Sequence, residues 1–591
     1  MNILGINYIF HDSAACLLRN GIIAHAVEEE RLTRQKHTQA FPAAAIKECL
    51  EMTQTCTEDI DHIAVSFNPG KSESDKLSYA AALGSAMGPF LEYEFERLKA
   101  RNIRFWQWYH DLWPARTNKR PTVHFVDHHH AHAVGSYFVS PWDSAALLSV
   151  DGWGEWSTTW LGHAKGKQIE MFCESHFPNS LGVFYSAATE FCGFKPNYDE
   201  GKTMGLAPCG DPNRFYNSVE SMVHVDDAAM LHIDRDWFDF PSLGGRLCSA
   251  KFYRHFGRPR NPGEEILDHH RDVAAAFQAV LEKNLLKMAR YLRDRTGDRN
   301  LVYAGGVALN SVANGRIIQE GIFDDVFLMP GAGDNGTAIG AAAYVHSHTL
   351  GQKAKVRHST PYLGRSYSND EILQVIKDAK IKYRRVEDIT SAVADALAAG
   401  KIVGWFQGRM EFGPRALGNR SILADPTKSH MKHKINAEVK HREAFRPFAP
   451  SVLREYAQEY FEIGVEVPYM LKVASVRSQM CDKIPAVVHV DGTARVQTVD
   501  AKTNPIYYEL ISKLGTRTGH PVVLNTSFNV MGEPIVESPS DALRCFFSTG
   551  LDLLAIGSYV MEKPPLSDRQ NRIHNGTVTK DSSSCAVQLD A

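Results

Sequence analysis

One stretch of this chain forms a site only if the fold brings distant residues to it. The apolar run 123–126 precedes Asp127, and His128 and His132 follow four residues apart. If Asp127 caps a helix that starts here, both imidazoles lie on one face and reach a single metal ion. Two ligands do not complete a site, so other ligands must come from elsewhere in the chain.

Two aspartates are candidates to complete the ligand set. Asp151 follows the apolar run 145–150, which predicts a residue at the tip of a buried strand. Asp334 lies in a glycine-rich loop before a helix predicted from Thr337. Two histidines and two aspartates suit Fe(II), Mn(II) or Zn(II) with open positions for substrate oxygens. For the H-x-x-x-H spacing alone, a histidine cluster satisfied within the core is the commoner interpretation.

Composition excludes some classes of partner. A chain of 591 residues predicts two or more domains, and its formal net charge of -3 gives no footprint for nucleic acid. The first residues lack a basic region followed by an apolar segment, and no stretch reaches membrane-spanning length, which predicts a cytoplasmic protein without a membrane partner. The 10 scattered cysteines lack a C-x-x-C pair, which favours reduced core thiols.

The opening of the chain predicts an antiparallel unit over residues 2–27, with Asn20 and Gly21 as a hairpin turn. This pattern is typical of the actin-like ATPase and sugar-kinase fold, although many α/β domains begin in a similar way. Residues 28–38 are dense in charge and favour a solvated loop. In a functional interpretation, Lys36 and His11 present donors to a phosphate or a developing oxyanion.

Two glycine-bearing segments are further candidates. Glu200 and Lys202 could order a bound intermediate, although a surface ion pair explains them equally well. Gly305 and Gly306 lie between a predicted strand and the helix that begins at Asn310. Their backbone could approach a nucleotide closely, or the glycines could serve only strand–helix packing.

Beyond a predicted boundary at residues 350–362, basic residues are spaced among aromatics and prolines. Arg415, Lys440, Arg446 and Arg495 predict a clamp for polyphosphate, and the overall charge favours a small phosphorylated ligand over nucleic acid. Asn525 follows the predicted strand 521–524, at a strand end where α/β sheets bind ligands.

Several motifs together resemble one enzyme family. HDSAA, DHHHAHA, VDGWGEW, EGKTMGLAP, PGAGDNGTAIGAA, EFGPRALGNRSIL and VKHREAFRPFAPSV occur in this order and are similar to those of the O-carbamoyltransferases. The resemblance implies an α/β protein with an actin-like (ASKHA) domain at 1–355, similar to the tRNA threonylcarbamoyladenosine transferase. A YrdC-like domain for carbamoyl-adenylate synthesis would occupy 356–566, followed by a polar tail at 567–591.

The resemblance also implies a two-step reaction. Carbamoyl phosphate and ATP, with Mg, would give carbamoyl-adenylate at the C-terminal domain. The intermediate would pass to a metal, implied to be iron, held by His128, His132, Asp151 and Asp334, where the hydroxyl of a small-molecule acceptor attacks it. His11 would be the general base and Lys36 the oxyanion or phosphate partner.

Further positions follow from the same resemblance. The intermediate would contact a set of residues in the first domain: Asp12, Glu200, Lys202, Gly305, Gly306, Asn310 and Gly333. Carbamoyl phosphate or ATP would be held in the second domain by Arg415, Lys440, Arg446, Arg495 and Asn525. His130 departs from the usual apolar residue, so His129 with His132 remains an alternative ligand pair.

Two rival functions stay open at this point. One is a tRNA-modifying transferase that uses the same intermediate, and the other is an inert actin-like nucleotide-binding scaffold. The identity of the acceptor is not encoded in any motif, and residues 70–120 and 210–260 are candidate acceptor-selecting loops. A homodimer is the default oligomer.

Overall fold

The computed structural model describes residues 1–72, 88–117, 119–240, 246–352, 356 and 360–563. The predicted polar tail lies outside these residues, as do parts of the predicted boundary at 350–362 and of the segment 70–120. The strands are β1 Asn2–Asn7, β2 Ala14–Arg19, β3 Ile22–Glu28, β4 His62–Val65, β5 Thr122–Phe125, β6 Ser144–Gly154, β7 Ser157–Lys165, β8 Gln168–His176, β9 Val223–Val225, β10 Leu231–Ile233, β11 Asn300–Ala304, β12 Asp325–Phe327, β13 Arg384–Arg385, β14 Val403–Phe406, β15 Arg420–Ala424, β16 Ala449–Leu453, β17 Lys472–Ser475, β18 Thr493–Val499, β19 Val522–Ser527, β20 Leu553–Ile556 and β21 Tyr559–Glu562.

Helices alternate with these strands along much of the chain. The α-helices are Glu29–Thr33, Ala43–Met52, Gly88–Leu112, Gly135–Val139, Leu181–Phe191, Glu200–Leu206, Tyr216–Glu220, Ala250–Phe256, Asp268–Thr296, Ser311–Gln319, Thr337–Tyr344, Asn369–Asp378, Ile389–Ala398, Met431–Ile435, Ala457–Tyr460, Ser478–Cys481, Pro505–Thr518 and Pro539–Ser548. The α/β class predicted from the sequence is therefore confirmed. Of the helices that the structure describes, none combines the length and the apolar character that a bilayer crossing demands.

Two five-stranded sheets share one topology. In the order β3-β2-β1-β4-β5, the first three strands are antiparallel and β4 and β5 continue in parallel. The order β12-β11-β6-β7-β8 repeats this arrangement, with β6, β7 and β8 antiparallel and β11 and β12 parallel. A duplicated unit of this kind fits the actin-like architecture that the resemblance implies.

The third large sheet is mixed and has nine strands. Its order is β13-β21-β20-β14-β15-β19-β16-β18-β17. All of its strands lie between Arg384 and Glu562, after the last strand of the first two sheets. The two halves of the chain therefore build separate sheets.

The hairpin prediction at the start of the chain is confirmed by backbone geometry. Asn20 and Gly21 have φ angles of 49° and 77°, as a tight turn between antiparallel strands requires. The following charged segment differs from its prediction, because Glu28 ends β3 and the helix Glu29–Thr33 follows at once. Glu28, Glu29 and Arg31 are all buried. Ion pairs and backbone contacts, described below, explain why the first part of this polar run is not solvated.

Small residues bring one helix close to the histidine segment. The helix Thr337–Tyr344 has every residue from Thr337 to Ala343 buried. A Cβ on Gly340 would overlap the carbonyl oxygen of Ala131. The helix backbone can therefore lie directly against the turn that carries His132, and Asp334 precedes this helix by three residues.

Candidate metal centre and anion site

Four predicted ligands converge in the interior of the first half. His132 Nε2 lies 3.0 Å from an oxygen of Asp151 and 3.3 Å from an oxygen of Asp334. His128 Nε2 lies 3.2 Å and 3.5 Å from the same two atoms, and 3.1 Å from His132 Nε2. One donor atom from each residue lies within 4.8 Å of the others, and all four side chains are buried. This donor set fits a borderline divalent cation.

The histidine helix begins differently from the prediction. The carboxylate of Asp127 accepts a hydrogen bond from Asn68 Nδ2 at 2.8 Å and does not cap the helix. Glu155 takes this place, since both of its oxygens lie 3.2 Å from the N–H of His128. Residues His130–Val134 then form a π-helical turn, a local widening that is frequent at functional sites. His128 and His132 thus face one point from an irregular helix.

Glu155 is a residue that sequence reasoning missed. It stands in the quoted motif VDGWGEW, four residues after Asp151, and it is buried with a φ of 41°. Burial raises the pKa of Glu155 to about 7. The available signal was an acidic residue within a tryptophan-rich motif that carries a ligand.

His129 points to other partners. Its Nδ1 lies 2.8 Å from Ser149 Oγ, and its Nε2 donates to the carbonyl oxygen of Ser157 at 2.9 Å. Burial, with the neighbouring His128, lowers the pKa of His129 to about 3. Both ring nitrogens are in use, so the alternative pair of His129 with His132 is not formed.

Charge within the cluster is balanced by its own members. Burial opposes a charge on His128, but Asp334 and Asp151 outweigh it and raise the pKa of His128 well above its usual value. Burial likewise opposes a charge on Asp151, yet the two imidazoles hold its pKa well below the ordinary range. Two buried carboxylates require positive charge beside them, from protons or from a cation.

The backbone of Gly306 holds one of the four ligands in place. Its N–H donates to Asp151 Oδ1 at 3.1 Å, and the N–H of Gly152 donates to the same atom at 2.7 Å. Asp151 lies within β6, where pairing with β7 breaks between Val150 and Gly154. The prediction of a strand tip is thus replaced by an interruption within a longer strand.

His11 lies beside the cluster. Its Nε2 is 3.8 Å from an oxygen of Asp334, and its Nδ1 is 2.8 Å from Asp12. The other oxygen of Asp12 is 2.7 Å from Nδ1 of His37. Burial would lower the pKa of His11, but Asp334 and Asp12 outweigh it and raise the pKa to about 10. A group that can hold a proton therefore stands next to the four ligands, oriented by Asp12.

Lys36 lies on a different side of this region. Lys36 as a whole residue is exposed. Partial desolvation of its ammonium group and the nearby Arg446 lower its pKa, and Glu30 and Asp199 oppose this change. Arg446 and Asp199 do not belong to the four-ligand cluster. Charges from both halves of the chain therefore act on Lys36.

The remaining candidates of the first half have local structural partners. Glu200 accepts hydrogen bonds from Ser186 Oγ at 2.7 Å and from the N–H of Asn197 at 2.6 Å, and burial raises its pKa. Asn310 caps the helix Ser311–Gln319 by accepting the N–H of Ala313 at 3.0 Å.

Of the other three candidates, the two glycines serve local packing and Lys202 makes a contact with the second half of the chain. Gly305 has a φ of 97° and packs against the carbonyl of Val150, while Gly333 directly precedes Asp334. Lys202 pairs with Asp199 at 3.1 Å and with Glu443 at 3.7 Å, and so connects the two halves.

Cations crowd a buried region of the second half. Burial and the proximity of Arg446 lower the pKa of Arg415 to about 10 and of Arg442 to about 9. Burial and Arg415 lower the pKa of Arg495 well below its usual value. The arginine cluster, as it is called below, consists of Arg415, Arg442, Arg446, Arg495 and Lys440. Arg442 was missed from the sequence, although it lies in the quoted motif VKHREAF.

Two guanidinium nitrogens in the arginine cluster have no partner. In the part of the chain that the structure describes, Nε of Arg415 and Nε of Arg495 are buried without a hydrogen bond. Lys440 instead donates to Asn529 Oδ1 at 2.7 Å and to the carbonyl oxygen of Ser527. Guanidinium groups that repel one another and have buried N–H donors without a partner suit the binding of an anion with several oxygens.

Asn525 lies deeper than its prediction. Strand β19 runs on to Ser527, so Asn525 is inside the sheet and 1% exposed. Its Nδ2 donates to the carbonyl oxygen of Ala416 and to Ser451 Oγ, each at 3.1 Å. Asn525 therefore supports the loop next to Arg415, and its predicted position at the end of a strand is corrected.

The comparisons with known proteins agree with this architecture. Residues 2–343 match the family model described as carbamoyltransferase N-terminus, and residues 394–563 match the model described as carbamoyltransferase C-terminus. The chain belongs to the carbamoyltransferase family. The family resemblance drawn from the sequence motifs is thus confirmed.

Individual relatives span most of the chain. An uncharacterized protein of Synechocystis sp. is 39% identical, covering 96% of this chain and 98% of its own length. Nodulation protein NolNO of Sinorhizobium fredii is 37% identical over 94% of this chain and 80% of its own. Nodulation protein NolO of Bradyrhizobium diazoefficiens is 40% identical over 75% and 80%. Among solved structures, full-length HypF aligns at a TM-score of 0.30 with 14% identity, over 60% of this chain and 47% of that chain; this likeness is too distant to carry an argument.

Proposed function

We propose that the protein is an ATP-dependent O-carbamoyltransferase that moves the carbamoyl group of carbamoyl phosphate to a hydroxyl of a small natural product. Membership of the carbamoyltransferase family supports the reaction class. The single observation that carries the finer proposal is the pairing of a four-ligand cluster in one half with an arginine cluster in the other, in which Nε of Arg415 and Nε of Arg495 are buried without a hydrogen bond.

The first step belongs to the arginine cluster, in a domain proposed to span residues 356–566. Water cleaves carbamoyl phosphate to carbamate and phosphate. A carbamate oxygen then attacks the α-phosphorus of ATP, with Mg bound to the phosphates, and pyrophosphate leaves. Arg415, Arg495 and Lys440 neutralise the charge of the phosphates, since guanidinium groups bind phosphate oxygens in pairs. Adenylation supplies the leaving group that a carbamate otherwise lacks.

The second step belongs to the cluster in residues 1–355. His128, His132, Asp151 and Asp334 would hold a divalent cation, proposed to be Fe(II) with Mn or Zn as alternatives, which polarises the bound intermediate and neutralises its phosphate. Asp12 orients the ring of His11 through Nδ1, and Nε2 would accept the proton of the acceptor hydroxyl once a cation balances the charge of Asp334, which otherwise raises the pKa of His11. The hydroxyl oxygen bonds to the carbamoyl carbon, and AMP leaves.

Residues at the junction of the halves serve the passage between the two steps. Lys36 lies near Arg446, and Lys202 pairs with Glu443 of the loop that carries Arg442 and Arg446. These cations would accompany a nucleotide that carries negative charge. The protein is further proposed to act in the cytoplasm.

The test is direct. Purified protein is incubated with ATP and carbamoyl phosphate, with and without a panel of hydroxylated small molecules, and AMP and carbamate esters are measured by mass spectrometry. We expect AMP to depend on carbamoyl phosphate and a mass increase of one carbamoyl group on an acceptor. Absence of AMP from both mixtures would refute the adenylate route. Modification of tRNA in a parallel incubation, with no small molecule modified, would support the rival transferase.

A further inference from the structure

Two loops that carry the two sites touch each other. The loop 330–335 carries the ligand Asp334, and the loop 411–415 carries Arg415. A Cβ on Gly413, whose φ is 109°, would lie 2.5 Å from the carbonyl oxygen of Pro330. A Cβ on Gly331 would lie 2.8 Å from the ring of Phe412. The absence of side chains at both glycines allows this contact.

Glu28 bonds to both loops with one oxygen. Its Oε1 accepts the N–H of Gly413 at 2.6 Å and Nδ2 of Asn335 at 3.1 Å. Asn335 directly follows Asp334, and Gly413 precedes Arg415 by two residues. Glu28 is 2% exposed, so water does not compete for these bonds.

The helix that follows Glu28 strengthens the same junction. Arg31 donates from NH2 to the carbonyl oxygen of Gly413 at 2.7 Å, and its Nε lies 3.6 Å from Glu28 Oε2. Arg34 donates to the carbonyl oxygens of Pro534 and Ile535, each at 2.7 Å. One short segment of the first half thus holds backbone atoms of the second.

The loop of Arg415 is otherwise organised from within. Oε1 of Glu411 accepts the N–H groups of Leu417, Asn419 and Arg420 at 2.8, 2.7 and 3.1 Å. Because this carboxylate gathers the loop into one unit, a displacement at Gly413 reaches Arg415. Asn335 stands in the same relation to Asp334 through the turn Asp334–Gly336.

We propose that Glu28 is a positioning residue that holds the loop of Asp334 and the loop of Arg415 in one register, so that the intermediate made at one site is used at the other before it is released. The inference rests on the proposed function. It assigns Glu28 no contact with substrate.

Glu28→Ala tests the inference by the yield of product per AMP. Without the acceptor oxygen both loops shift, and carbamoyl-adenylate that escapes is hydrolysed to AMP and carbamate. We expect product per AMP to fall by about 10-fold to 100-fold, the scale of a displacement of ~1 Å. Release of pyrophosphate should fall much less than product per AMP, because Arg495 in β18 and Lys440 in the turn 436–440 lie outside the two loops that Glu28 holds.

Two further variants separate positioning from general stability. Glu28→Gln keeps an oxygen that can accept both bonds and should restore most of the yield. Glu29→Ala is the matched control, since Glu29 is an equally buried neighbour whose carboxylate accepts the N–H groups of Ala44 and Ala45 within the first half. It should lower the melting temperature without changing product per AMP.

Each outcome decides the inference. Unchanged product per AMP in folded Glu28→Ala, or an equal fall in Glu29→Ala, would overturn the positioning role alone. Should Glu28→Ala not fold, Asn335→Ala removes one of the two bonds, and an unchanged yield there would overturn the role equally. If wild-type protein forms no AMP from ATP and carbamoyl phosphate, the proposed function and this inference both fall.

Discussion

The four-ligand cluster and the arginine cluster differ in how their buried charges are compensated. In the first, two imidazoles and two carboxylates compensate one another, and the ring nitrogens and oxygens lie 3.0–3.5 Å apart. In the second, cations are buried beside cations, and Arg446 repels both Arg415 and Arg442. The first is formed in advance by its own members, whereas in the second Glu443 and Asp199 offset only part of the positive charge, which leaves it complementary to a further anion.

This contrast has an energetic consequence. Burial of an unpaired charge costs several kcal/mol, so folding around the arginine cluster opposes stability until an anion binds. When phosphate groups bind such a site, the repulsion is relieved, and this relief contributes to the free energy of binding. In the four-ligand cluster the charges already compensate one another, so its role is to hold the four ligand atoms in position.

The largest expected effect is loss of transfer on removal of a ligand. His128→Ala or Asp334→Ala should reduce carbamate ester formation by about 1000-fold or more, since several kcal/mol of charge stabilisation are lost. Pyrophosphate release in the second half should remain. Chelation of the wild-type metal should give the same division, and added metal should restore transfer. A proportional loss of both steps would contradict separate sites.

The second effect is the reverse division. Arg415→Ala or Lys440→Ala should lower adenylate formation by about 100-fold, as expected when a charged phosphate contact of 2–4 kcal/mol is removed. Chemically supplied carbamoyl-adenylate should still be converted with an acceptor. Lys513→Ala is the control, because Lys513 pairs with Asp388 at 2.7 Å on the surface. Loss of use of supplied intermediate would argue against the assignment.

A third effect concerns stability. Pyrophosphate should raise the melting temperature of wild-type protein, with a gain of about 2.7 kcal/mol at 100 times its Kd, and salt should weaken this gain. Arg495→Ala should lose the gain yet be no less stable without ligand, because repulsion by Arg415 and Arg442 is relieved. Thermal denaturation with and without pyrophosphate measures both, and a large loss of stability in the unliganded variant would show that Arg495 is not under net repulsion.

Local patterns in the sequence predicted local structure well. The turn at Asn20 and Gly21 and the shared orientation of His128 and His132 both depend on neighbours in the chain. Residue types with steep preferences, such as glycine at positive φ, carry this information. The two distant aspartates were proposed from an apolar run and a glycine-rich loop, and the family motifs pointed to the same pair.

Tertiary contacts explain what was missed. Glu155 binds the N–H of His128 from the turn between β6 and β7, and Glu28 joins loops that lie 307 and 385 positions away in the chain. No periodicity encodes such contacts. Asn525 was placed at a strand end because the apolar run stops at Leu524, whereas pairing with β15 and β16 carries the strand through polar residues. The run 28–38 was assigned to solvent because composition cannot distinguish a solvated charge from a paired one.

The smallest expected effect on activity is at His129. This prediction tests the difference between His129, which supports the fold, and its neighbour His128, which is a proposed ligand. His129→Ala leaves Ser149 Oγ and the carbonyl of Ser157 without their partner, so we expect a loss of about 1–3 kcal/mol in the free energy of unfolding. Metal content and product per AMP should stay at wild-type values, because neither ring nitrogen of His129 faces Asp334. Denaturant titration and metal analysis of the same preparation measure the two properties. Were metal lost from His129→Ala but retained in His128→Ala, the ligand pair would be His129 and His132, and the four-ligand geometry derived from His128 would be wrong.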